Sequence, residues 1–297
     1  MYTTNDYCRE LFGEKIYKIS LSSGCTCPNR DGTLGSSGCI FCSEGGSGDF
    51  AAGLSSSLDE QIEAAKSQVS KKYNGSRYIA YFQAYTNTYA PVSYLRSLYF
   101  SVINRDDIAA LSIATRPDCL GDDVLEMLAE LNAIKPVWVE LGLQSIHKKS
   151  SDYIRRMYEL PIYDKAVADL AGLGIHVITH IILGLPHETA DDMLESVRYC
   201  ASPDVNTKIP HPFGIKLQLL HVLKGTDLAN DYEAGKFNVL SLDEYASIVK
   251  KCVDIIPEDV VIHRLTGDGP KNLLIAPKWS GNKKLVLNTI NKVLERR

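Results

Sequence analysis

The residues best suited to chemistry are cysteines. The chain has eight, at positions 8, 25, 27, 39, 42, 119, 200 and 252, and four of them fall between positions 25 and 42. Cys39-Ile40-Phe41-Cys42 is a Cys-x-x-Cys pair, a spacing that lets two sulfurs converge on one metal centre. Cys27 precedes it by eleven intervening residues, among which Gly32, Gly35 and Gly38 can turn the chain around something bulky. Clustered cysteines in a chain of 297 residues with no secretory signal point to metal binding rather than to a disulfide framework. Thiolates suit zinc and iron–sulfur clusters alike. Cys25, Cys27, Cys39 and Cys42 together would make a closed tetrahedral zinc site. Three of them around a four-iron cluster would leave one iron open, as a catalytic centre requires. Spacing alone leaves both readings standing.

These residues must be positioned by a scaffold. β-branched and aromatic runs predict strands at 15–21, 77–84, 108–115, 137–144, 176–184 and 214–222. Helical spacing predicts helices at about 58–72, with Asp59 as its cap, and at 91–103, 122–132, within 147–173, at 190–200, 242–256 and 283–296, with an extended piece at 260–265. Six successive β–α units imply a parallel sheet with helical crossovers. The fold class is therefore α/β, expected as a partial (β/α)6 TIM-like barrel with a C-terminal extension. An open doubly wound sheet is the alternative. We expect residues 1–225 to form the core and 226–297 an extension that closes the barrel. The cysteine loop follows the first strand, at the lip where barrels bind ligands.

Composition adds limits. No apolar stretch reaches the roughly 18–20 residues of a membrane span, so a cytoplasmic protein with no membrane partner is expected. From Lys271 onward there are seven basic residues and one acid, leaving the tail at +6 and the rest at −10. Such a tail suits a nucleic-acid contact or is the solvated face of a terminal helix.

The block Cys27-Pro28-Asn29-Arg30-Asp31-Gly32 through Gly38-Cys39-Ile40-Phe41-Cys42 resembles the radical S-adenosylmethionine (SAM) superfamily, in a branch related to the Elongator catalytic subunit. The usual loop has three residues between its first two cysteines; here there are eleven. The resemblance extends from the first strand to the Lys271 region. It implies a [4Fe–4S] cluster on Cys27, Cys39 and Cys42, with SAM on the open iron and Phe41 near its adenine. The common Gly-Gly-Glu segment is absent, and Gln83, Tyr85, Thr86 and Asn87 stand at that strand end, assigned to the cofactor. Thr115-Arg116-Pro117-Asp118 is similar to an Arg-Pro-Asp segment of Elongator-like enzymes, which often carry Glu where Ala114 stands. Strand alternation places Glu140, Gly142 and Gln144 on one face, and an inward acid needs a partner. The resemblance puts Gln144 at the ribose and Arg156 at the cofactor carboxylate, although Arg156-Met157-Tyr158 replaces the usual Arg-Gly-His. It puts the backbone of Gly184-Leu185-Pro186 near the adenine and His180 where relatives carry Asp.

His180 and Tyr85 are the catalytic candidates. Lys216, Gln218 and His221 could reach the substrate. The glycine-rich turn at 263–271, which includes His263, Arg264, Gly267, Gly269 and Lys271, lacks Walker spacing and would close the barrel or meet a phosphate. The implied reaction is reductive cleavage of SAM and hydrogen abstraction from a substrate. Elongator-like relatives suggest a tRNA wobble-uridine side chain, with the basic tail on phosphate and an electron donor such as flavodoxin or ferredoxin. The acidic remainder argues against a large RNA footprint. The alternatives are a small metabolite or tetrapyrrole as substrate, or a zinc-stabilised binding module without catalysis.

Overall fold

The computed structural model describes residues 1–46, 57–73, 75–201, 213–267 and 269–295. In chain order the elements are α1 (Thr4–Phe12), β1 (Tyr17–Leu21), α2 (Leu58–Val69), β2 (Tyr78–Phe82), α3 (Val92–Ile103), β3 (Ile108–Thr115), α4 (Asp122–Ile134), β4 (Val137–Gln144), α5 (Lys148–Tyr153) and α6 (Leu160–Gly172). Then come β5 (His176–Leu183), α7 (Ala190–Ala201), β6 (Gly214–Leu219), β7 (Val222–Leu223), α8 (Asp227–Glu233), α9 (Leu242–Ile255), β8 (Val261–Arg264), β9 (Leu274–Ala276) and α10 (Lys283–Leu294).

Seven strands form one parallel sheet in the order β1-β2-β3-β4-β5-β6-β8. Each strand lies beside the one before it, with no reversal of direction, so the sheet winds one way and the doubly wound alternative falls. The expected partial barrel is present, with one addition: the piece at 260–265 supplies a seventh parallel strand. Its pairing with β6 runs Gly214 to Val261 and Ile215 to Ile262.

The sheet is strongly curled. Neighbouring strands are about 4.8 Å apart, so a flat sheet would separate β1 from β4 by about 14 Å. Yet Lys18 Nζ on β1 lies 2.6 Å from Glu140 Oε1 on β4. Lys216 on β6 reaches the same carboxylate and lies 3.3 Å from the Tyr81 hydroxyl on β2. Inward side chains from opposite walls therefore meet across the barrel axis.

Both faces of the sheet are covered, which is why β2 and β3 are buried along their whole length. Helices cover the outside with apolar stripes; α4 buries Val124, Met127, Leu128 and Leu131, one face at helical spacing. Ser57, not Asp59, caps α2, in a reciprocal capping box with Glu60. The helix α1 stoppers the N-terminal end of the barrel. Its Tyr7 and Cys8 join Ile79, Ala110, Trp138, Ile178 and Phe213 there. At the opposite end Ile40 of the cysteine loop packs with Ile154, Leu185, Val222, Leu228 and Phe237. Among the described residues no helix is long and apolar enough to cross a membrane.

Candidate functional site

A cavity of 420 Å³ opens at the C-terminal ends of the strands. Cys27, Cys39 and Cys42 all line it. Their loop is folded by its own backbone: the Cys27 carbonyl accepts from Arg30 and Asp31, Asn29 accepts from Gly38, and Cys39 accepts from Cys42. Burial, and then the neighbouring Cys42 sulfur, pushes the Cys39 thiol up to about 12. Cys25 does not line the cavity. It belongs to the outer core, beside Tyr94 and Tyr99. A four-sulfur site is therefore not assembled.

Three side chains hold the loop in place. Arg30 Nη2 donates to the carbonyls of Cys42 (2.8 Å) and Ser43 (2.6 Å), with the Tyr85 ring 5.7 Å from its guanidinium carbon. Gly38 has φ +72°, and a Cβ there would come within 2.9 Å of Arg30 Nε, so glycine is required twice over. Tyr85, at φ +60°, gives its hydroxyl to the Glu44 carbonyl and spreads its ring over Gly46. Asn29, almost fully buried, donates from Nδ2 to the Arg155 carbonyl at 2.8 Å and to Cys39 Sγ at 3.5 Å.

Most of the expected cofactor residues face this cavity: Phe41, Gln83, Tyr85, Thr86, Thr115, Arg116, Glu140, Gln144, Arg156 and His180 all line it. Two do not. Asn87 is wholly buried and serves backbone, donating to the carbonyls of Phe82 and Ala114 and accepting from Ser23. Leu185 is packed in the upper apolar cluster.

The end of β4 is arranged with unusual backbone. Gln144 has φ +70°, and its side chain folds over Gly142, where a Cβ would meet Nε2 at 2.8 Å. Gln144 Oε1 is buried without a hydrogen-bond partner among the described residues. An orphaned buried acceptor costs about 1–3 kcal/mol unless a ligand donates to it. Arg156 Nη1 donates to the carbonyls of Leu143 and Ser145, and Nε to that of Tyr158. Arg155 and Met157, on either side, both have positive φ. Arg116 is held bidentate by Asp118 at 2.9 and 2.7 Å.

Beneath lies a charged floor centred on Glu140, whose side chain is fully buried. Its carboxylate accepts from Lys18, Ser112, His180 and Lys216. Lys18 and Lys216 hold it well below the usual carboxylate range, overcoming the opposite pull of burial. His180 Nε2 lies 2.7 Å from Glu140, and its Nδ1 lies 3.0 Å from Gln218 Nε2. An amide nitrogen can only donate, so Nδ1 accepts and Nε2 carries the proton. This imidazole is neutral, its pKa lowered to about 4 chiefly by burial. Sequence reasoning missed Ser20 and Tyr81, which also line the cavity, and Arg264, Gly269 and Pro270 bring the glycine-rich turn to it.

The floor makes a pH prediction. Burial lowers His180 to about 4 and His263 well below its ordinary value. Below pH 6.5 an unfolded chain binds protons at both sites that the folded chain refuses. The histidine contribution to stability is therefore complete above about pH 7.5 and is lost as pH drops from there toward 4. His180 contributes a loss of about 1 kcal/mol between about pH 7.5 and about pH 5.5, His263 adds in the same direction, and Glu140 adds its own below the carboxylate range. Urea unfolding at the two pH values measures it; unchanged midpoints would mean that these rings are charged in the fold.

Residues 23–200 match the family described as Radical SAM superfamily, and residues 212–296 match the Radical_SAM C-terminal domain. The chain belongs to the radical SAM superfamily. It is 48% identical to YtqA of Bacillus subtilis (strain 168) over 296 residues, covering 100% of this chain and 90% of that protein. It is 26% identical to the tRNA uridine(34) acetyltransferase of Methanocaldococcus jannaschii over 167 residues, which is 56% of this chain and 29% of that protein. In fold it is similar to the archaeal Methanocaldococcus infernus Elp3, with TM-score 0.68 at 18% identity, over 93% of this chain and 63% of that one. This chain thus spans less than two thirds of the Elp3 structure.

The radical SAM superfamily uses a [4Fe–4S] cluster and SAM, which are this enzyme's cofactors. The cavity fits them. It offers soft sulfur donors on one wall and an orphaned acceptor, Gln144 Oε1, for a ligand that brings its own hydrogen-bond donors.

Proposed function

We propose that Cys27, Cys39 and Cys42 hold the cluster and that the enzyme acts on the side chain of a tRNA wobble uridine. When bound, the two cofactors supply reductive cleavage of the sulfonium bond and a 5′-deoxyadenosyl radical that takes hydrogen from the substrate. The chain's own part is binding, orientation and exclusion of water. Gln144 Oε1 accepts from a ribose hydroxyl, Phe41 packs by the adenine, and Arg156 presents Nη2, its one guanidinium nitrogen not bonded to backbone, to the methionyl carboxylate. Gln83 and Thr86 stand at the end of β2 for the amino group.

The observation that carries this reading is the convergence of three thiols and one orphaned amide oxygen in a single cavity at the strand ends. Support for an RNA substrate comes from the tRNA-modifying relative and from the tail. Lys271, Lys278, Lys283, Lys284 and Lys292 are exposed, and Lys271 adjoins Gly269 and Pro270 on the cavity rim. Arg296, Arg297 and Asp268 of the glycine-rich turn lie outside the described residues.

The test is anaerobic reconstitution with SAM and reductant, with 5′-deoxyadenosine measured in the presence of tRNA. We expect formation to rise with intact tRNA and not with nuclease-treated tRNA. Equal formation with both would exclude RNA and favour a small metabolite or tetrapyrrole. Changing Lys283, Lys284 and Lys292 to Gln should flatten the salt dependence of tRNA binding by about 0.9 in log–log slope per lost phosphate contact. Unaltered binding would remove the tail from the interface.

Asn29 yields a separate prediction. Its N–H aimed at Cys39 Sγ would stabilise the reduced cluster, since hydrogen bonds to ligand sulfur tune cluster potentials. Asn29→Ala should lower the midpoint potential by on the order of tens of millivolts. A titration followed by electron paramagnetic resonance reads this directly, and an unmoved midpoint would reduce Asn29 to a tether for the Arg155 carbonyl.

A further inference from the structure

Among the described residues, the barrel floor carries more positive charge than its own groups neutralise. Glu140 is its central carboxylate, and Lys18 and Lys216 both bind it. Arg264, at the end of β8, adds a third cation; its charge bears on Tyr81, His180 and Lys216. His180 is neutral and cancels nothing. Arg264 is half-buried, lines the cavity, and has no hydrogen-bond or ion-pair partner among the described residues. Among the described residues three cations therefore share one anion. Repulsion from Lys18 and Arg264 adds to burial in drawing the Lys216 ammonium toward its neutral form.

The cavity has a second cationic end, and the two differ. Arg116 and Arg156 belong to the cysteine side: Arg116 acts on Cys39, and both guanidinium groups lie over the Tyr158 ring, at 5.3 and 4.5 Å. Asp118 neutralises Arg116, and Arg156 has backbone carbonyls. Those groups suffice for the one carboxylate that SAM brings. Lys216 and Arg264 sit on β6 and β8, among His180, Gln218 and Tyr81. A guanidinium beside an ammonium is suited to the paired oxygens of a carboxylate or phosphate, and the half-buried setting strengthens such a bond.

We propose that Lys216 and Arg264 form an anion subsite that holds a carboxylate or phosphate group of the substrate. This rests on the reading of the cavity as the radical SAM active site, and it adds the charge of the substrate. A bound anion would also favour the charged form of Lys216 and fix the substrate between the floor and the cofactor end.

The test uses reconstituted holoenzyme with SAM and follows binding calorimetrically. The probes are uridine, uridine carrying a carboxymethyl group at C5, uridine 5′-monophosphate, acetate and inorganic phosphate. We expect at least one anionic nucleoside to bind about 10–100-fold tighter than uridine, as hydrogen bonds to charged groups allow. Which one does so identifies the source as base substituent or backbone. Arg264→Gln should erase that advantage and Arg264→Lys keep part of it, while SAM affinity, read on the same preparations, shows that the variants are folded. Acetate or phosphate bound by wild type and lost in Arg264→Gln, with no uridine bound, would uphold the subsite and overturn the uridine substrate. Equal binding of neutral and anionic uridines, an advantage that survives Arg264→Gln, or no binding of any probe would overturn the subsite itself.

Discussion

Alanine at Cys27, Cys39 or Cys42, one at a time, is expected to give folded protein that takes up no stable iron–sulfur cluster and forms no 5′-deoxyadenosine above background. The reason lies in the donor set. The three sulfurs line one cavity wall, and the nearby Cys25 thiol is committed to the outer core. A missing ligand therefore has no substitute on that loop. Loss of an outer-shell partner commonly costs about 10–100-fold in metal affinity, and loss of a ligand should exceed this. Cys25→Ala is the informative control. It should keep its iron and its activity and lose only packing. Iron content and 5′-deoxyadenosine formation, measured on all four variants after one reconstitution protocol, decide it. The assignment fails if Cys25→Ala loses iron as fully as the others, or if any one of the triad keeps it.

Cys119 calls for a distinction here. It lies close enough to Cys27 for their charges to interact, and burial raises its thiol to about 12. Its neighbour Arg116 is bound to Asp118, so the segment is fixed by an ion pair rather than by metal. Cys119→Ala should consequently behave like Cys25→Ala in iron content.

What the sequence disclosed follows from how local each signal is. The cysteine loop was legible because its chemistry depends on residue type and short spacing. The six strands were legible because a parallel strand covered on both faces reads as an apolar run. Glu140 was legible as an inward acid in need of a partner, and the structure supplies Lys18, Ser112, His180 and Lys216. The identity of those partners was not legible. Lys18 meets Glu140 only because the sheet curls across three strand spacings, and no local pattern encodes curl. The strand β8 was legible as an extended piece at 260–265, but its place beside β6 is a long-range pairing that no local pattern encodes. Arg264 was legible only as part of the glycine-rich turn, and its place beside Lys216 comes from that pairing. Asn87 shows the converse error. A polar residue at a strand end looks like a ligand contact, but an amide is equally able to tie two strand ends together, and here it does.

Glu140→Gln should be the most destabilising single substitution in the barrel interior. The amide keeps the shape and removes the central negative charge of the floor, leaving Lys18 and Lys216 in a low-dielectric setting with Arg264 nearby and no counter-ion among the described residues. Breaking a buried pair by deleting one partner typically costs about 3–5 kcal/mol, because the surviving charge is stranded. Here two are stranded, and the site can relieve itself only by deprotonating Lys216, a direction burial already favours. Adding Lys216→Met to Glu140→Gln removes the stranded ammonium and should recover part of the loss, so the cycle of single and double variants isolates the pair. Urea unfolding of the four proteins at neutral pH provides the numbers. If Glu140→Gln lies within about 1 kcal/mol of wild type, as substitutions away from such features usually do, the floor holds a neutral amine rather than an ion cluster. The charge excess that makes Arg264 an anion receptor would then shrink with it, because one of the three cations would be gone before any substrate arrived.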